Sequence, residues 1–399
     1  MKKRILCAIL VCSMLFSCAG CSSYLNGDYF YINDYTEESD SGVDISTGIK
    51  NYNGLKRAIV ALVTRHEEEG SLQFRNYNGN ISEDLAEACW EVKSTTPLGA
   101  YSVDYISYDL SRIVSYYEAD VYITYKRTKE QIASIVSIGT SISVKVPLQT
   151  GMSTMEPYLA ISMSTTIMDE ETIRNEITKI YYSNPLCCIA LPNTKVSIYP
   201  DSGVQKIFEI NFDYCGLETQ QLVNMKSQLT DTAADWLADI ENERDEDNIY
   251  QIGMALTRRC QYDPTLSTER LSGLPQELGS TAYGAIVENQ ADSEGFAMAF
   301  AALCIGAGID CTVVRGRLNN NEHFWNIVKI DKEYYHLDCS VWQLNGYYQT
   351  YLKSDADMLS SYWWDTSAYP ECESSYIITS STPEPSPEAS SAAESGQTA

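Results

Sequence analysis

Apolar residues along the chain fall first into helical stripes. Leu55, Ile59, Leu62 and Val63 recur at i, i+4, i+7 and i+8, which predicts a helix that ends in the charged run 65–70. A second helix is predicted from Ser82, with Leu85, Cys89 and Val92 on one face and Pro97 as its stop. The runs 101–108 and 120–125 are rich in β-branched and aromatic residues and read as strands; 129–132 reads as helix. A similar order then returns. Ile173, Ile177, Ile180 and Tyr181 repeat the first stripe, and the strand-like run 206–214 ends in tyrosine like the earlier strand. Two ordinary α/β stretches sharing a pattern, or one duplicated α+β unit with an extra helix in its first copy, both account for this; the repeated spacing favours duplication. A long helix over 217–242 comes next, with Leu222, Met225, Leu229, Ala233, Trp236 and Ile240 on one buried stripe. After the polar break 241–247 a further helix is predicted over 248–260, turning at Tyr262-Asp263-Pro264.

The last third has a different rhythm. Residues 292–307 read as a helix with Phe296, Phe300, Leu303 and Ala307 on its apolar stripe, closed by Gly308. Ser293 then lies in the first turn, where unsatisfied N–H groups and the positive end of the dipole favour an anion. Taken alone, Asp292-Ser293 reads better as a plain helix cap. Strands are predicted at 311–318, 323–330 and 333–339, with Asp331-Lys332 as a two-residue hairpin loop. Pairing Ile330 with Glu333 sets Asp338 opposite Trp325, with His323 as a diagonal neighbour on the same face. A slip of one residue would move Asp338 to the other face. The hairpin thus predicts an imidazole backed by a carboxylate, the arrangement that activates a nucleophile.

Composition adds the compartment. The 399 residues are enough for two or three folded units. Met1-Lys2-Lys3-Arg4, the short apolar run 5–16 and the small residues leading into Cys18 and Cys21 resemble the lipobox of bacterial lipoproteins, with either cysteine as acceptor. An ordinary secretory signal or an uncleaved anchor is the plainer alternative. Loss of Lys2, Lys3 and Arg4 would take the net charge from −26 to −29, which repels nucleic acid and anionic headgroups. Residues 22–50 read as an acidic tether with a span of roughly 30 Å, and 378–399 as a Ser/Pro/Glu tail. Past the signal no cysteine pair has CxxC spacing, and the chain has three histidines, so neither a metal site nor a cofactor is expected. Cysteine spacing assigns no disulfide. His66 sits in a solvated charge run, and nothing in residues 51–246 forms a convincing site.

Four stretches in order carry a family resemblance: Ser293-Glu294-Gly295-Phe296-Ala297, Val314-Arg315-Gly316, His323-Phe324-Trp325-Asn326 and Tyr335-His336-Leu337-Asp338. Together they resemble a transglutaminase-like domain, a relative of the papain-type thiol fold. The segment from Tyr351 through Tyr362-Trp363-Trp364-Asp365 to Pro370 resembles the stretch C-terminal to such domains in surface lipoproteins. The resemblance implies an α+β domain over 247–377, a nucleophile-position helix packed on an antiparallel sheet, preceded by α+β units at 51–150 and 151–246. It also implies Ser293, His323 and Asp338 at the triad positions, with serine where the family has its cysteine. A serine hydroxyl is far less acidic than a thiol of pKa about 8.5 and must lose its proton as it attacks. The expected protein is therefore a lipid-anchored, extracytoplasmic, degenerate member. It would bind a peptide or a cell-wall or surface polymer in a groove between helix and hairpin, with Trp325 as a wall. An active serine acyl-transfer enzyme or hydrolase, and a structural surface scaffold, are the alternatives.

Overall fold

The structure is a computed structural model that describes residues 48–139, 143–240, 244–266 and 278–376. Cys18, Cys21, most of the expected tether and the Ser/Pro/Glu tail lie outside the described residues. Within them, no helix is long and apolar enough to cross a membrane. The chain has a mixed α+β architecture. It divides into two compact units: one runs to Gly151 and adds Glu156–Ile177 and Thr194–Phe212, the other takes Met152–Met155, Thr178–Asn193 and the chain from Asp213 onward.

In chain order the first elements are α1 (Tyr52–Thr64), β1 (Glu69–Phe74), α2 (Ile81–Thr95), α3 (Pro97–Ser102), β2 (Val103–Ile113) and β3 (Tyr116–Tyr125). Then come α4 (Lys129–Ala133), β4 (Val136–Ser137), α5 (Lys145–Thr154), β5 (Tyr158–Ser164), α6 (Glu170–Ser183), β6 (Asn193–Tyr199) and β7 (Gln205–Asp213). Two passages share one plan. Helix, strand, helix, strand, strand gives a sheet in the order β1-β3-β2 and again β5-β7-β6, the latter extended by β4. The extra helix of the first passage is α3. Pro97 does stop α2, but it also opens α3 as its first residue, where a missing N–H costs nothing. The sheet strand β1 begins inside the charged run, because Leu72 and Phe74 alternate toward a core built on Leu55, Ile59, Leu85 and Val92.

Within this unit one ion pair joins the two passages. Arg127 Nη2 donates to both carboxylate oxygens of Glu209 on β7, each at 2.7 Å, and the Glu209 side chain is 8% exposed. The guanidinium also lies over the Tyr101 ring, 5.3 Å from its centroid. A carboxylate so enclosed is costly once its partner is gone.

The second unit carries α7 (Thr219–Leu237), α8 (Asp245–Arg259), β8 (Gln261–Tyr262), α9 (Ala282–Ile286), β9 (Gln290–Ala291) and α10 (Ser293–Gly306). These lead to β10 (Cys311–Leu318), β11 (Asn321–Ile330), β12 (Glu333–Leu337), α11 (Trp342–Asn345), α12 (Asp355–Met358) and β13 (Tyr362–Trp363). Its main sheet has the order β12-β11-β10-β13. Two tight turns fix it: Asn319 and Asn320 have φ of 50° and 68°, and Asp331 has φ of 55°, as primed hairpin turns require. Helix α10 is buried on every side from Ser293 to Cys304 rather than along one stripe, so it forms the unit's central element.

Arg127→Ala is expected to destabilise the first unit by roughly 3 kcal/mol in urea unfolding, because Glu209 is left buried and unpaired. Adding Glu209→Gln to that variant should recover part of the loss; a double variant no more stable than the single one would show that the pair is not the source.

Candidate active site

Short parallel pairing of β8 with β9, Gln261 to Gln290 and Tyr262 to Ala291, delivers the chain to the start of α10. Asp292 caps that helix: its Oδ1 accepts the Gly295 N–H at 3.0 Å, and its Oδ2 accepts the Ser280 hydroxyl. Gly295 is needed for the approach, since a Cβ there would sit 2.3 Å from the Gly279 carbonyl oxygen. Helix and sheet are tied directly: Asn326 Nδ2 donates to the Ala297 carbonyl at 2.9 Å.

The hairpin register is the one expected from the sequence. Ile330 pairs with Glu333 and Asn326 with Leu337, which carries Trp325 opposite Asp338 by continuation. Past Leu337, β12 no longer pairs with β11, and two groups use the space. The Phe324 N–H donates to Ser293 Oγ at 3.3 Å, and His323 Nε2 meets Asp338 Oδ2 at 2.7 Å. The three residues expected at the triad positions are thus gathered at one end of β11. Ser293, His323 and Asp338 are 5%, 4% and 1% exposed. With Nε2 turned to the carboxylate, Nδ1 is the imidazole nitrogen left to serve a nucleophile.

Asp338 is the most heavily held group. Its Oδ2 also accepts the Tyr362 hydroxyl at 2.8 Å, and its Oδ1 accepts both the Ser340 N–H at 3.1 Å and the Ser340 hydroxyl at 2.6 Å. Burial works to raise its pKa. The His323 charge and the bonds from His323, Ser340 and Tyr362 outweigh that and hold the carboxyl below the usual 3.8. Burial and the facing Asp338 carboxylate push the Tyr362 hydroxyl far up, so it remains a donor. The sequence alone assigns neither Tyr362 nor Ser340 a role. Ser340 lies two residues from Asp338, but Tyr362 arrives from 24 residues downstream on a separate strand.

One expectation is corrected. Trp325 is not a groove wall: it is 1% exposed and packed with Val314, Ile327, Tyr362 and Trp364 in the core beneath the sheet. Its Nε1 donates to His336 Nδ1 at 2.9 Å. An indole N–H can only donate, so His336 must accept at Nδ1 and carry its proton on Nε2, which meets Asp355 Oδ1 at 2.8 Å. Burial lowers the His336 pKa below 6.5, against the opposing pull of Asp355. His336, Asp355 and Cys372 bring one donor atom each within 4.8 Å of one another. The proton on His336 Nε2 occupies the lone pair a metal would take, so this tautomer opposes a metal there.

At the outer side of the helix start, the Tyr182 hydroxyl donates to Glu294 Oε1 at 3.1 Å, and its ring lies 5.7 Å from that of Phe324. Burial raises the thiols of Cys304 and Cys339 well above 9.0.

No family model matches this chain, and no curated protein does. Among solved structures, it is similar to the crystal structure of a TGase, with 12% identity and a TM-score of 0.28. The likeness is weak. The match covers 48% of this chain and 53% of that one, so the chain spans about half the length of the structure it matches. The arrangement of Ser293, His323 and Asp338 rests on the residues themselves.

The buried His336 makes a pH test. Its native pKa lies below its ordinary 6.5, so the unfolded chain binds more protons as pH falls under that value. Stability is therefore full above about pH 6.5 and falls as the pH drops toward 5; the Asp338 contribution is lost only below about 3.8. His336→Gln, which keeps an acceptor for Trp325 and a donor for Asp355, should flatten the melting-temperature slope between pH 6.5 and 5. An unchanged slope in that variant would assign the effect elsewhere.

Proposed function

We propose that the second unit contains a degenerate transglutaminase-like domain, which binds a peptide or cell-surface polymer without thiol catalysis. The order of the four motifs, the hairpin register and the position of Ser293 at a helix start support the fold reading. One observation carries the functional one. The Ser293 hydroxyl oxygen accepts the Phe324 N–H, and no hydrogen bond joins this hydroxyl to the His323 imidazole. A thiol ionises before it attacks, but a serine needs its base in contact at the moment of attack. The proposal extends to location: the basic start, the apolar run and Cys18 or Cys21 support a lipid-anchored protein on the extracytoplasmic face of a membrane, and the net charge speaks against nucleic acid as a partner.

A second reading has a specific observation in its favour. The 2.7 Å His323–Asp338 bond, with Tyr362 behind it, keeps the base that a serine acyl-transfer enzyme or hydrolase would use. Fluorophosphonate labelling followed by peptide mapping separates the two. No adduct at Ser293 is expected in the native chain. An adduct there that disappears in both Ser293→Ala and His323→Ala would establish the serine enzyme instead.

A further inference from the structure

Two His–Asp pairs lie in this module, one at the candidate site and one beneath it. His323–Asp338 is the outer pair and His336–Asp355 the inner, at 2.7 and 2.8 Å. The Trp325 indole separates them. Its ring centroid is 6.4 Å from that of His323 with the planes 25° apart, and 6.2 Å from that of His336. Its Nε1–H is held by His336, and its ring centroid lies 5.1 Å, in a T-shaped pair, from that of Tyr362, the residue whose hydroxyl binds Asp338.

From this layering we infer that His336 and Asp355 are positioning residues for His323, acting through Trp325. The chain of contacts runs from Asp355 to His336 Nε2–H, from His336 Nδ1 to the indole N–H, and from the indole face to the His323 ring. Asp355 is itself fixed by the Cys372 N–H at 3.3 Å and by its place at the start of α12. Each link has one allowed polarity. The indole donates only, so the His336 tautomer is set, and a neutral ring with that tautomer needs an acceptor on its far side. Remove the acceptor and His336 has no reason to keep its orientation; the indole then loses the partner that anchors its N–H. A ring stacked on a mobile indole cannot hold a bond as short as His323–Asp338. This makes the inner pair an alignment device for the outer one. It deepens the site reading without depending on whether Ser293 reacts.

The full chain has three histidines, so ring N–H proton signals are few enough to assign by substitution. The measurement is solvent exchange of the His323 Nε2–H proton by NMR, with backbone amides of α10 as the control for global opening. In Asp355→Ala the His323 ring proton should exchange at least about tenfold faster while the α10 amides keep their protection. Asp355→Asn still offers an oxygen to His336 and should restore the native rate. Trp325→Phe keeps a ring in the slot but removes the donor, and should also speed exchange; it decides the matter if Asp355→Ala does not fold. Folded Asp355→Ala or Trp325→Phe with native His323 exchange would overturn the inference and leave the inner pair as core structure only. Because neither ligand nor turnover enters, a negative result here says nothing against the binding reading, and a fluorophosphonate adduct says nothing against this one.

Discussion

The second unit depends on keeping one carboxylate charged in a dry place. Asp338 is almost wholly buried, and an unpaired charge there would cost several kcal/mol. The fold supplies four hydrogen bonds to it, from His323, Tyr362 and both donors of Ser340. These come from three separate pieces of chain: β11, the turn after β12, and β13. Satisfying Asp338 therefore forces the strands into register and brings the late segment back onto the sheet. Gly316 shows how closely that segment returns: a Cβ there would lie 2.3 Å from the Trp363 carbonyl oxygen and 2.5 Å from the Trp325 ring.

That return decides which face of β11 is open. His323 and Trp325 alternate onto one face, where the resemblance set Trp325 as a groove wall. The residues from Tyr351 onward instead roof it with Met358, Tyr362, Trp364 and Cys372. The polar atoms beneath this roof are paired off as Trp325–His336–Asp355. At the margin stay the start of α10 and the imidazole of His323. The site is thus a corner between a helix start and a strand end, with Asn326 and Ala297 closing the space behind it.

Legibility in the sequence tracks the range of the interactions. The α1 and α6 stripes, the Asp292 cap and the Asp331-Lys332 turn are set by neighbours within a few residues, and the structure shows them where the spacing puts them. Of the repeat signals only the tyrosine ending falls on equivalent strands, β3 and β7; the matching stripes fall on α1 and α6, the first helix of one passage and the second of the other. Strand β1 is hidden because it begins inside the charged run and only Leu72 and Phe74 alternate inward. The burial of Trp325 escapes the sequence because it depends on a segment some 30 residues later, which no periodicity reports. Tyr362 and Asp355 lie in the stretch after the four motifs, but their partners, Asp338 and His336, become visible only once the chain is folded.

On the proposed reading, His323, bonded to Asp338, would activate a thiol at position 293, where this chain carries a hydroxyl. Iodoacetamide alkylation at residue 293 probes this directly. Its rate near pH 6.5, mapped by mass spectrometry, is compared between Ser293→Cys and Ser293→Cys combined with His323→Ala. A poised imidazole predicts alkylation at least about tenfold faster when His323 is present, because it raises the thiolate fraction. Equal rates in the two variants would contradict it.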